Sequence, residues 1–243
     1  MMTVYIMENL GSKVEAILLA GGLGNRLRSK VADRPKVMAE INQQPFLSYL
    51  LNYLSNHNVN RAVLATGYLH EVIERFYGNY YKRLHIDYSL EEQPLGTGGA
   101  IKQALTKISV EHVLILNGDT FFDINPDALF ILHHKNDADI TIGLKAMRHI
   151  SRYGIVKTQG TRIISFEEKH PVDDGYINGG VYLAKTSLFD SLELSEKFSF
   201  EADFLKKFTA ELNMHAYVSD AYFIDIGVPD DYERAQTELI DYE

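Results

Sequence analysis

Apolar runs and helical periodicities alternate along the first 145 residues. The run VEAILLA (14–20) is almost wholly apolar and stops at glycine, the pattern of a strand buried on both faces. PFLSYLLNYLSN (45–56) begins at Pro45 and sets Phe46, Tyr49, Leu50 and Tyr53 at helical spacing. RAVLAT (61–66) reads as a strand, LHEVIERFYG (69–78) as a helix closed by Gly78, and LHIDYSL (84–90) as a strand. GAIKQALTK (99–107) predicts a helix, HVLILN (112–117) a buried strand, PDALFILHHK (126–135) a helix and ADITIGL (138–144) a strand. Strands alternating with helices of this length predict βαβ units and a largely parallel sheet.

After Lys145 the links shorten. Residues 154–158, 161–169 and 177–184 read as strands in antiparallel additions. A helix over 201–212, strands over 215–220 and 222–227, and a closing helix from Pro229 to about Tyr242 follow. Asp230 and Asp231 read as caps of that last helix. With no linker, low-complexity tract or repeat, the expectation is one domain over 1–243, an α/β open, mostly parallel mixed sheet flanked by helices. Residues 1–13 form an N-terminal extension, and the pattern changes between 14–145 and 146–243.

The chain has 243 residues, 46% of them hydrophobic and 23% charged, ordinary for a globular domain that can bury a sizeable core. It has no cysteine, which excludes disulfides and thiolate metal sites. No run approaches the roughly 18 apolar residues of a membrane span, and MMTVYIMENLGSK carries no basic leader pattern. Together these predict a cytoplasmic protein without a membrane partner. The formal charge of −9 argues against a nucleic-acid partner. Yet residues 26–36 hold five Arg or Lys against the single acid Asp33, directly after a glycine-rich turn.

In an open parallel sheet, ligands bind beyond the carboxyl ends of the strands. There Gly21, Gly22 and Gly24 bare the backbone N–H groups, and Arg26, Arg28, Arg34 and Lys36 supply charge for phosphate oxygens. The dinucleotide fingerprint fails, because Leu27 stands where a glycine or alanine is needed, and so does the P-loop spacing. On glycine alone, a tight turn with a solvated basic face fits equally well. EEQPLGTGGAIKQAL (91–105) sets a turn at Pro94 and Gly96, after which Thr97 or Gly98 opens a helix whose N-terminus attracts anions or a base edge. Asp119 ends the strand VLILNGDT and Asp225 the strand YFIDIG. A carboxylate at such an edge can hold Mg²⁺ or simply cap a turn. The nine histidines show no zinc-protease spacing.

The order of these pieces is more informative than any one. LAGGLGNRL followed by RPKVMAEI (34–41) resembles the signature of the sugar-1-phosphate nucleotidyltransferases, with Asn25 in place of the usual threonine. NGD, PLGTGG, RYGIV (152–156), FEEKH (166–170) and INGGVYL (177–183) continue the resemblance over about residues 14–238, with His170 where the family commonly has proline. Within the family, the short D-glycero-D-manno-heptose 1-phosphate guanylyltransferases are the most similar branch.

The resemblance implies a Rossmann-like fold whose first half binds a nucleotide and whose second half binds a sugar. It implies a nucleotide site of Leu19, Ala20, Gly21, Gly22, Gly24, Asn25, Arg26, Gln93, Thr97 and Gly98. It implies a sugar-phosphate site of Gly154, Glu168, Lys169 and Asn178, catalytic Arg26, Lys36, Asp119 and Asp225, and Mg²⁺ on Asp119 and Asp225. The substrates would be an NTP, best GTP, and a sugar 1-phosphate, best the heptose form. UTP- or dTTP-dependent transfer to a hexose 1-phosphate, or a non-catalytic nucleotide-sugar sensor, are the alternatives. Folds of this kind often pair through sheet or helix faces, which leaves a homodimer open.

Overall fold

The computed structural model describes residues 13–22, 34–190 and 192–242. Gly24, Asn25, Arg26 and Arg28 lie outside the described residues. In chain order the first strands are β1 (Val14–Leu19), the hairpin β2 (Glu40–Ile41) and β3 (Gln44–Pro45), β4 (Arg61–Thr66), β5 (Tyr80–Tyr81), β6 (Leu84–Leu90) and β7 (His112–Asn117). Then come β8 (Thr120–Phe122), β9 (Ile140–Ile150), β10 (Ile155–Gln159), β11 (Arg162–Glu167), β12 (Val172–Lys185), β13 (Met214–Ser219) and β14 (Phe223–Asp225). The helices are α1 (Phe46–Asn56), α2 (His70–Tyr77), α3 (Gly96–Leu105), α4 (Pro126–Lys135) and α5 (Pro229–Glu238).

Among the described residues, ten strands form one sheet in the order β10-β11-β13-β9-β12-β7-β1-β4-β6-β5. The neighbours β6, β4, β1 and β7 are mutually parallel, as the alternating pattern requires. Helices cover both faces. Ala16 and Leu18 of β1 belong to one apolar cluster, with α1, while Ile17 between them belongs to the other, with α3. Successive side chains leave a strand on opposite faces, so a strand covered on both sides reads as a continuous apolar run.

The antiparallel additions are not simply appended at one edge. β12 runs antiparallel to both β7 and β9 and lies between them, so the first and second halves of the chain share one sheet. The helix expected over 201–212 is shorter, Phe200–Leu205, and wound wide, with the Lys206 N–H donating to the Glu201 carbonyl at 3.0 Å. The residues after it form turns. In that winding Phe200 and Phe204 stack 5.4 Å apart at 12°, both fully buried.

Candidate active site

The carboxyl ends of β6, β4, β1 and β7 open onto a cleft of about 700 Å³. Leu19, Gly21 and Gly22 line it after β1, Gly67 and Tyr68 after β4, and Glu91, Glu92 and Pro94 after β6. Asn117, Gly118 and Asp119 line it after β7, and α3 adds Gly96, Thr97 and Ala100. Lys36 and Val37, from the turn Lys36–Met38, and Glu201 complete the walls.

Lys36 is pinned at its base because Val37 and Met38 beside it are buried. Its side chain is only 10% exposed, and Nζ donates to Oδ2 of Asp119 at 2.6 Å. Asp119 reaches this position through Gly118: a Cβ there would lie 2.1 Å from the Leu19 carbonyl, so only glycine lets the chain leave β7 against the end of β1. The Asp119 carbonyl accepts the Ile226 N–H at 2.9 Å. β8 and β14 pair antiparallel with Thr120 opposite Asp225, so Asp225 stands across the ladder from the residue next to Asp119. Oδ1 of Asp225 accepts the Gly227 N–H at 2.7 Å.

Asp225 lines a second cavity, of about 300 Å³, with Arg152, Tyr153, Asp231 and Arg234. Burial and the nearby Asp225 carboxylate push the Tyr153 hydroxyl up to about 12. Asp231 is not a side-chain cap of α5, as the sequence had suggested. Val228 occupies the cap position without a side-chain bond, and Asp231 is buried, accepting Arg152 Nη2 at 2.6 Å and Arg234 Nη1 at 2.9 Å.

The PLGTGG segment differs from its expected geometry. Glu91 turns inward and Oε2 accepts the Leu95 N–H at 2.9 Å, while burial raises its carboxyl above the usual range. Gln93, on the outside of that turn, is exposed and does not line the cleft. Gly98 is buried away from the cleft: its N–H donates to the Phe198 carbonyl at 3.0 Å, and a Cβ would meet the Phe198 ring at 2.1 Å. Thr97 lines the cleft, but its hydroxyl donates to Glu201 Oε2 at 2.9 Å and accepts the Phe200 N–H at 2.8 Å. Ala20 is buried beside the cleft, its N–H on the Ala65 carbonyl at 2.8 Å.

The four sugar-side residues are not among the cleft's lining residues. A Cβ on Gly154 would lie 2.8 Å from the Glu167 carbonyl. Glu168 pairs with Lys206, and Lys169 is exposed. Asn178 donates to the Tyr182 hydroxyl at 2.8 Å and accepts the Gly180 N–H at 3.0 Å, where β12 breaks register. Glu91, Asn117 and Glu201 are cleft residues that sequence reasoning passed over. Asn117 sits in the NGD motif, whereas nothing local marks Glu201, which is 104 positions from Thr97.

A profile described as Nucleotidyl transferase matches residues 15–241. The chain belongs to the nucleotidyl transferase family. It is 50% identical over 229 residues to a D-glycero-alpha-D-manno-heptose 1-phosphate guanylyltransferase of Aneurinibacillus thermoaerophilus, covering 94% of this chain and 100% of the relative. The protein of the same name from Campylobacter jejuni is 44% identical, over 90% of this chain and 97% of the relative. The crystal structure of HddC from Yersinia pseudotuberculosis complexed with GMP-PN superposes with a TM-score of 0.80 at 33% identity, over 93% of this chain and 99% of that one. The open α/β sheet is therefore that of the nucleotide-diphospho-sugar transferases, and the chain is a transferase.

Proposed function

We propose that the protein transfers the guanylyl group of GTP to D-glycero-α-D-manno-heptose 1-phosphate and releases pyrophosphate. The observation that carries the base and the sugar is the 50% identity along the whole length of a relative bearing that name. The cleft supports the chemistry, because a bare glycine turn, a pinned lysine and a carboxylate meet at the edge of a parallel sheet.

An oxygen of the sugar phosphate attacks the α-phosphorus of GTP, and the bond from that phosphorus to the β-bridging oxygen breaks. Pyrophosphate leaves with the electron pair. Phosphoryl transfer of this kind depends on positioning and charge neutralisation. Gly22, with open space where a side chain would stand, leaves room for the triphosphate against the backbone, while Gly21 lets the chain pass close to the Glu91 carboxylate. Lys36 supplies a cation that its buried base aims at the reacting phosphates. Arg26 is assigned to the leaving phosphates, and Lys169 with Glu168, Asn178 and Gly154 to the sugar phosphate, on sequence alone.

Asp119 and Asp225 offer hard carboxylate oxygens from neighbouring strand ends, Asp119 on the cleft and Asp225 on the second cavity, with no third His, Asp or Glu clustered on them among the described residues. That donor set fits Mg²⁺, which takes one or two carboxylates and fills its shell with phosphate oxygens and water. A bound Mg²⁺ would offset charge on the α-phosphate and the leaving pyrophosphate.

The test follows pyrophosphate release with Mg²⁺, each of GTP, ATP, CTP, UTP and dTTP, and heptose, mannose and glucose 1-phosphates. Turnover confined to GTP and the heptose phosphate is the expected result. Turnover with UTP or dTTP and glucose 1-phosphate would keep the transfer and reject the base and sugar.

A further inference from the structure

We infer that Glu201 is a substrate-binding residue of the cleft, and that its outward carboxylate oxygen accepts a hydrogen bond from a sugar hydroxyl beside the transferred phosphate. The inference rests on the guanylyltransferase reading only for the identity of the substrates. Glu201 lines the cleft together with Thr97, Asn117 and Asp119. One oxygen, Oε2, is committed: it accepts the Thr97 hydroxyl at 2.9 Å and the Ser199 hydroxyl at 3.3 Å. Oε1 has no hydrogen-bond or ion-pair partner among the described residues. A carboxylate held through one oxygen presents the other in a fixed direction, and an ionised carboxylate only accepts. The ligand group must therefore be a donor, which excludes phosphate oxygens and leaves hydroxyl or N–H groups.

The position of Glu201 narrows this further. Across the cleft lie the carboxyl ends of β6, β4, β1 and β7, followed by the antiparallel β12, which brings Gly180 beside Asn117, at about 4.8 Å per step. Glu91 marks the β6 end and the glycine turn the β1 end, while Asp119 follows β7. Glu201 reaches the cleft from the turn whose Phe200 packs on Tyr182 of β12, 5.1 Å between ring centroids. Tyr182 in turn holds Asn178. Glu201 thus stands between Thr97 at the start of α3 and Tyr182 of β12, which Asp119 also neighbours. The phosphate transferred beside Asp119 has sugars on both sides, the ribose of the nucleotide and the ring of the acceptor. Both present hydroxyl donors.

The same turn joins the two halves of the site. Lys206, whose N–H bonds the Glu201 carbonyl at 3.0 Å, pairs through Nζ with Glu168 at the end of the sugar-side strand β11. The Thr97 hydroxyl spends its one hydrogen on Glu201, so its part is to orient that carboxylate, with one lone pair left for a ligand.

The test compares wild type with Glu201→Gln, which keeps an acceptor for Thr97 and turns a donor toward the cleft. The readouts are kcat and KM for each substrate, the calorimetric Kd for GTP and for 2′-deoxyGTP and 3′-deoxyGTP, and Tm. A tenfold or greater rise in the KM of the sugar phosphate, with the GTP Kd unchanged, assigns the acceptor hydroxyl. A tenfold or greater rise in the GTP Kd, with one deoxynucleotide bound equally by both proteins, assigns the ribose. Unchanged KM and Kd values, with or without a loss of Tm, would overturn the inference by making Glu201 a clamp of α3. Failure of the wild type to use GTP with any sugar phosphate rejects the guanylyltransferase reading instead, and the nucleotide Kd values then decide Glu201 by themselves.

Discussion

Lys36 and Asp119 are opposite charges at 2.6 Å in a cleft built for anions, so each holds the other until a substrate competes. Lys36→Ala removes a cation aimed at the reacting phosphates and is expected to lower kcat by about 10²–10³. Pyrophosphate release measures the loss, and circular dichroism should show the fold retained. Near-wild-type kcat would remove Lys36 from the mechanism. Gly98 teaches a different lesson at this scale. A methyl group there would drive into Phe198, so Gly98→Ala is expected to cost about 1–3 kcal/mol by overpacking. Urea titration checks this, and an unshifted midpoint would contradict the packing described. The sequence shows a glycine at 98 but not what stands against it, because Phe198 is a hundred positions away.

At the scale of elements, α3 and the turn Phe200–Leu205 form one unit, joined through Thr97, Phe198 and Glu201. On the far side, α5 is joined to the loop before β10 by the Asp231 carboxylate between Arg152 and Arg234. Asp231→Ala leaves two arginines facing a buried gap. Breaking a buried pair costs about 3–5 kcal/mol, and because both guanidinium groups are half-exposed we expect about 2 kcal/mol here. Chemical unfolding measures it, and a variant as stable as wild type would show the pair to be incidental. The periodicities made most elements legible: β4, β6, β7 and α4 fall where the apolar pattern places them. The spacing over 201–212 predicts a longer helix than the Phe200–Leu205 segment that forms, because a 3.6-residue period carries no information on winding. That winding is decided by stacking Phe200 on Phe204 beneath Tyr182.

The whole molecule buries a histidine on the side of the sheet away from the cleft. His133 is fully enclosed, Nδ1 bonded to the Thr141 hydroxyl at 2.9 Å, with His112 and His134 packed around it. Burial, helped by those neighbours, lowers its pKa to about 3. The unfolded chain would protonate this side chain near its ordinary value of about 6.5. Between those values the unfolded state binds the extra proton, so the stability present above pH 6.5 is lost as pH falls toward 3. The slope from this one group is about 1.4 kcal/mol per pH unit. Thermal unfolding from pH 7 to 4 should show the decline, and His133→Gln should flatten it; equal slopes would reject the assignment.

The sequence by itself determined the family, the alternation that makes a parallel sheet, and the short motifs around Gly21, Lys36 and Asp119. These are local patterns whose residue types carry their chemistry without help from distant chain. Tertiary structure alone decided that β12 lies between β7 and β9, that Gly98 serves packing while Gln93 faces solvent, and that Glu201 enters the cleft. Each depends on segments many positions apart lying against one another, and burial of apolar surface rewards such contacts without leaving a repeat or spacing to read.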